Sequence, residues 1–335
     1  MISAPTGHRH FSAFVGSSFH LPKPVACKRR RDMVRGFLIA TLLAGASALV
    51  GVTPAWAQTD CEQLLVPFDA ALNKADLSAT IAAAKPILGS AECPAETRRE
   101  IGVKVALAHV READHIQDPA RQLAILESGM AYAQPWKLMK LIGDLRRKVP
   151  ASNGKIDYAS ASLAYQSALS DIADKKSVPN PPPNEVVQKL MELANESRML
   201  SSTFVPGDVL LTRSLRDVAV ESVPVPVQFV RGRHEMTPLG EQYAAEMARL
   251  LGEQGHPRVL LVGHTDPDGS DQYNLILSLR RAEALRSYLI EHGYPGANVD
   301  AEGHGRREPL VLANAADYSQ AQIYQMLRRV EVKYH

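Results

Sequence analysis

From Cys61 to about Leu200 apolar residues return every three or four positions, the period of a helix with one buried face. In YASASLAYQSALSDIADKK the recurring residues are Tyr158, Ala161, Tyr165, Ala168 and Ile172, and in NEVVQKLMELANESRML they are Val187, Leu190 and Ala194. AETRREIGVKVALAHVREAD and ARQLAILESGMAYA carry similar stripes. Turn-forming clusters at GSAECP, HIQDP, VPASNG and SVPNPPPN interrupt them. This pattern predicts an all-α region of several helices joined by short connections.

The regime changes after Leu200. Residues 201–224 scatter Pro, Gly, Val and Thr without a helical stripe, which predicts a linker with room for a short strand. Beyond it VPVPVQFV opens a β-type run, PRVLLVG (Pro257 to Gly263) reads as a buried strand and NVDAEGHG as a shorter one. Between them EMTPLGEQYAAEMARLLGEQ and NLILSLRRAEALRSYLIEHG are amphipathic. In the second, Leu275, Ser278, Ala282, Leu285 and Leu289 form the stripe expected to face the core, and the helix is expected to begin near Tyr273 or Asn274. Strands alternating with helices imply an α/β layer, so the chain reads as multi-domain, α then α/β: a helical bundle or solenoid over 58–200 and an α/β domain over 225–335. The helix pairs resemble a tetratricopeptide or related α-solenoid, SASLAYQSALSDIA being the piece most like such a repeat. No fixed period recurs three times, and a plain bundle fits nearly as well.

The first 57 residues stand apart. CKRRRDMVR is a positive segment, GFLIATLLAGASALVGV (Gly36 to Val52) an apolar run and AWA (Ala55 to Ala57) a small-x-small cleavage signature. Together they predict a secretory signal cleaved before Gln58, with Met33 as a second possible start. An uncleaved anchor is the alternative, since Gly36 to Trp56 has the length to span a bilayer. Cys61 follows QTD, which is not a lipidation context.

The leader also changes the charge. The whole chain carries 38 Lys and Arg against 36 Asp and Glu, a formal +2. Seven of those bases and one of those acids lie in the leader, so 31 bases and 35 acids remain, a net of −4. A mildly acidic remainder excludes nucleic-acid binding through bulk electrostatics. Cys27 leaves with the leader, and the two remaining cysteines, Cys61 and Cys93, suggest one disulfide in an oxidising compartment, two buried thiols being the alternative.

Candidate chemistry concentrates where the strand PRVLLVG ends. GHTDPDGSDQYNLILSLRRAEAL places His264, Asp266, Asp268 and Asp271 within eight residues, ahead of a helix bearing paired arginines. Asp266 lies just past the C-terminal end of a buried strand, where open α/β sheets place ligands. Along the helix Asn274, Ser278 and Arg281 share a face. A carboxylate facing a guanidinium across a notch is what a zwitterionic ligand needs, an ammonium for the one and a carboxylate for the other.

VLLVGHTDPDGSDQYNLILSLRRAEALRSYLIEHG, followed by VDAEGHGRREPL and RRVEV, resembles the OmpA-like peptidoglycan-binding domain over about Val225 to Tyr334. The resemblance implies an α/β sandwich with helices packed on a small mixed sheet. It also implies that Asp266 and Arg281 hold the free amino acid end of the stem peptide's diaminopimelate. Thr265, Asn274 and Leu277 would line the same pocket, with Arg328 and Arg329 close by. Leu327 departs from the pattern, standing where the family usually has asparagine. The implied protein is periplasmic, needs no cofactor and anchors itself to the wall, with outer-membrane association possible, while the helical region binds another envelope protein.

Other classes fit less well. His264 and His304 with Asp266 are a weak metal set, being 40 residues apart without a local ligand motif. A wall hydrolase would need a catalytic set in the helical half, which offers only scattered acids with His109 and His115, and no G-x-S-x-G elbow occurs. GHG at Gly303 to Gly305 is no phosphate cradle. A flagellar stator would carry an acid inside its transmembrane helix, and a porin would show alternating ten-residue strands.

Overall fold

A computed structural model of the chain describes residues 61–206, 214–215, 218–219 and 222–334. The leader, with Cys27, the apolar run and AWA, lies outside them. Seven helices come first: α1 (Cys61–Asn73), α2 (Leu77–Gly89), α3 (Ala95–Ala113), α4 (Pro119–Gly129), α5 (Trp136–Arg146), α6 (Tyr158–Ala173) and α7 (Asn184–Leu200). Their starts are written locally. Asp76, Asp118 and Asp157 each accept a backbone N–H from the residue three along, and α4 has Pro119 in its first turn.

The helical stripes meet in one core, where Leu126, Leu138, Ile142, Tyr165, Leu169, Ile172 and Leu190 are buried together. Ala161, Tyr165, Ala168 and Ile172 face inward as their spacing predicts, whereas Tyr158, at the start of α6, is half-buried and takes a hydrogen bond from Gln322 Nε2 at 2.7 Å. A second core under α1 to α3 gathers Phe68, Ile87, Ile101 and Val105 around Cys93. There Cys61 and Cys93 form a disulfide, with Cα atoms 5.1 Å apart and a sequence separation of 32. Closing a loop of that length restricts the unfolded chain by about 3–4 kcal/mol. Reduction is therefore expected to lower stability by about that amount, read as the change in urea midpoint with and without reductant, and non-reduced peptide mapping should find the pair joined. Among the described residues no helix is long and apolar enough to cross a membrane.

The strands are β1 (Ser214–Leu215), β2 (Val218–Ala219), β3 (Ser222–Val225), β4 (Val259–His264), β5 (Val299–Gly305) and β6 (Val330–Tyr334). β1 and β2 pair with each other, and the rest form one sheet in the order β3-β6-β4-β5. It is mixed: β6 is antiparallel to β3 and β4, and β5 is parallel to β4. The helices α8 (Pro238–Glu253), α9 (Asp271–Glu291) and α10 (Gln320–Leu327) complete this part. Tyr243, Leu251, Leu261, Leu285, Leu289 and Val332 are among the residues of its core. The sheet reaches back into the expected linker, because Ser222 to Val225 pair with Val330 to Lys333. β5 spans seven residues against six for β4 and is not the shorter strand, because Gly303 to Gly305 continue the pairing.

Two glycines set the distance between α9 and the sheet. A Cβ on Gly263 would stand 2.0 Å from the Ser278 carbonyl oxygen, and one on Gly303 2.4 Å from the Leu279 nitrogen. Only backbone fits between strand and helix there. Helix α9 begins at Asp271, two or three residues earlier than expected, because Ser270 Oγ accepts the Tyr273 N–H at 3.2 Å and caps it.

The helical region and the sheet share buried polar contacts. Arg198 of α7 pairs with Glu246 of α8, its guanidinium 4.8 Å from the Tyr243 ring centre. Glu196 accepts from the Tyr318 hydroxyl and the Ala313 N–H, each at 2.5 Å. Gln325 Nε2 donates to the Met199 carbonyl at 2.9 Å, beside an apolar cluster of Met199, Leu200, Tyr318 and Met326.

Candidate ligand pocket at the end of the buried strand

The end of β4 is sewn to both neighbours. His264 N–H donates to the Arg329 carbonyl and Thr265 N–H to the Gly305 carbonyl, each at 2.9 Å. The chain then leaves the sheet, and Asp266 follows with its side chain 14% exposed. Its Oδ1 accepts the Asp268 N–H at 3.2 Å, and its Oδ2 accepts from Arg328 Nη1 at 2.7 Å.

Arg281 lies nearly three turns into α9 and is only 2% exposed. Its Nε donates to the Arg233 carbonyl at 3.0 Å, and its guanidinium sits 5.4 Å from the Phe229 ring centre. Nη1 is buried with no hydrogen-bond partner, as is the Thr265 hydroxyl. Burial, and after it the charge of Arg328, pull the Arg281 pKa down to about 10, with Asp266 and Tyr273 opposing. The group stays cationic at neutral pH. A buried cation with an open N–H is an unfavourable arrangement that a ligand anion would relieve.

The other expected pocket residues divide by role. Asn274 is buried, and its Nδ2 donates to the Asp268 carbonyl at 2.9 Å, so its amide donor braces the loop instead of reaching between Asp266 and Arg281. Ser278 Oγ accepts the Gly305 N–H and donates to the Leu275 carbonyl, each at 2.9 Å. Leu277 is half-buried, four residues before Arg281 on the same face. Leu275, expected in the core stripe, is only half-buried, while Asn274 and Arg281 are buried. Arg329 is a brace: Nε and Nη2 donate to Glu331 Oε1 at 2.7 and 2.5 Å, and Nη2 reaches the Glu308 carbonyl. Leu327 is half-buried, and its carbonyl accepts the Arg329 N–H at 3.1 Å.

Sequence reasoning missed Phe229, Gly232 and Arg233. They belong to a hairpin whose ends meet at the Phe229–Met236 bridge, and the Tyr273 hydroxyl donates to the Gly232 carbonyl at 3.2 Å. Nothing in the local pattern of α9 signals contacts from 41 and 48 residues upstream.

His264 is fully buried on the sheet side, its ring 5.8 Å from that of His304. His304 lies between Glu302 and Glu308, each 3.1 Å away. Among the described residues no group of three or more His, Cys, Asp or Glu is placed to hold a metal. Burial first, then the Arg329 charge, lower the His264 pKa from 6.5 to about 4. Below pH 6.5 the unfolded chain takes a proton that the folded chain refuses. The contribution of His264 to stability is thus complete above about pH 6.5 and is lost as the pH falls toward about 4. Melting temperatures at pH 7.5 and 4.5 should show this loss, and His264→Gln should make it smaller.

The OmpA family model matches residues 228–322, from the hairpin through α9 to α10. Residues 228–322 are an OmpA family domain. A peptidoglycan-associated lipoprotein of Pseudomonas aeruginosa is 36% identical over 76 residues, covering 23% of this chain and 42% of that protein. An outer membrane protein A of Shimwellia blattae is 35% identical over 97 residues, covering 28% of this chain and 39% of the relative. Among solved structures, the peptidoglycan-associated lipoprotein from Burkholderia pseudomallei is 26% identical, covers 35% of this chain and 91% of its own, and has a TM-score of 0.29. The chain spans between about a fifth and a half of the length of the curated relatives it matches. The likeness concerns the OmpA domain; α1 to α7 lie outside the matched residues. There His109 is buried with Nδ1 2.9 Å from the Val105 carbonyl oxygen, and His115 is exposed.

Proposed function

We propose that the OmpA domain binds peptidoglycan without covalent chemistry, by gripping the free amino acid end of diaminopimelate in the stem peptide. One observation carries this reading: the buried Arg281 Nη1 and the Thr265 hydroxyl lack partners beside the carboxylate of Asp266. The ligand carboxylate takes the open N–H of Arg281 and the Thr265 hydroxyl. Its ammonium donates to Asp266, whose two oxygens can accept from it and from Arg328 together. The relatives named for peptidoglycan association support the choice of ligand. Titration calorimetry of the folded chain with free meso-diaminopimelate tests the reading. Saturable binding at one site is expected, and no heat with folded protein would contradict it.

On this reading the protein is exported, and its OmpA domain fixes it to the wall while the helical region holds another envelope protein. A cleft of about 510 Å³ in that region, lined by Arg99, Leu107, Pro135, Trp136 and Lys137 among others, supports the second role.

A further inference from the structure

The hairpin that closes the pocket carries more than the two carbonyls it lends. Its sequence FVRGRHEM puts Arg231, Arg233 and His234 at an exposed tip. The tip is built firmly: Val230 N–H donates to the Glu235 carbonyl at 2.9 Å, Arg233 N–H donates to the Val230 carbonyl at 3.0 Å, and Gly232 supplies the φ of +71° that the turn requires. It is also fixed to the pocket, because the Gly232 and Arg233 carbonyls accept from Tyr273 and from Arg281 itself.

Four arginines of this domain are matched with acids, Arg306 with Asp271, Arg328 with Asp266, Arg329 with Glu331 and Arg249 with Glu253, while among the described residues Arg258, Arg280, Arg286 and Arg307 form no ion pair. Among the described residues neither Arg231 nor Arg233 forms an ion pair, not even with Glu235 on the same hairpin. Two unmatched guanidiniums thus stand on a rigid tip, the backbone of one of them 3.0 Å from the pocket arginine.

Counted through the diaminopimelate side chain and a γ-amide link, the α-carboxyl of the preceding residue is about ten bonds from the gripped amino acid end, up to roughly 12 Å away when extended. In a stem peptide the residue before diaminopimelate is a γ-linked glutamate whose α-carboxyl is either free or amidated. Resting on the reading above, we infer that Arg231 and Arg233 form a second subsite that takes this neighbouring carboxylate, so that the domain prefers stems in which it is free. A guanidinium fork matches a carboxylate through paired charge-assisted hydrogen bonds and loses the charge term against an amide.

The test uses the folded chain and the double variant R231Q/R233Q, with three probes: free meso-diaminopimelate, the tripeptide L-Ala-γ-D-Glu-meso-diaminopimelate, and the same tripeptide amidated on glutamate. Wild type is expected to bind the free tripeptide about five-fold more tightly than the amidated one, the size expected of exposed charge pairs. This preference should shrink as salt is raised. The double variant, which keeps the Arg233 carbonyl that accepts from Arg281, should bind both tripeptides alike. If wild type shows no preference, or the double variant keeps it, the subsite is wrong while the pocket stands. If the double variant loses diaminopimelate, the arginines serve the pocket itself and a separate subsite is overturned. Wild type that ignores diaminopimelate removes the pocket, and the subsite with it.

Discussion

Asp266→Ala and Arg281→Ala are each expected to weaken binding to purified sacculi by about 30-fold or more while the domain stays folded. Each removes one half of a complementary pair and leaves a ligand charge facing a site from which water is largely excluded, a loss on the order of 2 to 5 kcal/mol. The two variants differ in what they leave behind. Without Asp266, Arg328 loses its partner, but its side chain is 32% exposed and water can take over. Without Arg281, the Arg233 carbonyl loses its donor and the hairpin loses one of its two ties to α9. Arg281→Lys should fail almost as badly, because an ammonium has one nitrogen and cannot bond the Arg233 carbonyl through one nitrogen while offering another to the ligand. Retention on sacculi, with circular dichroism as the check on folding, measures all three.

Glu246→Ala is expected to be the most destabilising single change, by about 3–5 kcal/mol in chemical denaturation. Its partner Arg198 is 2% exposed and already disfavoured by burial, which lowers its pKa against the opposing pull of Glu246 and Tyr243. Removing the acid leaves a cation beside the Tyr243 ring and far from water. The pair joins α7 to α8, so the loss falls on the contact between the helical region and the OmpA domain. Replacing both partners with apolar residues, as in Arg198→Met with Glu246→Leu, should recover most of the stability, since the penalty arises from a buried charge that has lost its counter-ion. Equal urea midpoints for wild type and Glu246→Ala would contradict this account.

Those contacts show where sequence reading stops. The buried strand β4, the helix α9 and the joint placement of Asp266 and Arg281 follow from patterns of a few residues. PRVLLVG is apolar throughout, Ser270 and the following helix period are local signals, and Arg281 sits seven residues after Asn274 on one face. What each polar group touches is a different matter. Asn274 looks like a pocket residue by position, but the loop leaves the Asp268 carbonyl beside it, and that carbonyl takes the amide donor. Arg328 and Arg329 are adjacent in sequence and part at the start of β6: one turns to Asp266, the other lies against Glu331 two residues on. The alternation of a strand makes that divergence reasonable in hindsight, yet the irregular backbone before Val330 hides it from pattern alone. The hairpin over Arg281 is set by tertiary packing across 48 residues and leaves no trace in the motif.

Co-sedimentation of the full chain with purified sacculi, with and without free meso-diaminopimelate as competitor, tests directly whether the OmpA domain grips the wall through diaminopimelate. The protein is expected to pellet with the sacculi and to be released by diaminopimelate, because both compete for Arg281 and Asp266. A folded chain that stays in the supernatant, or one that pellets and is not released, would contradict it.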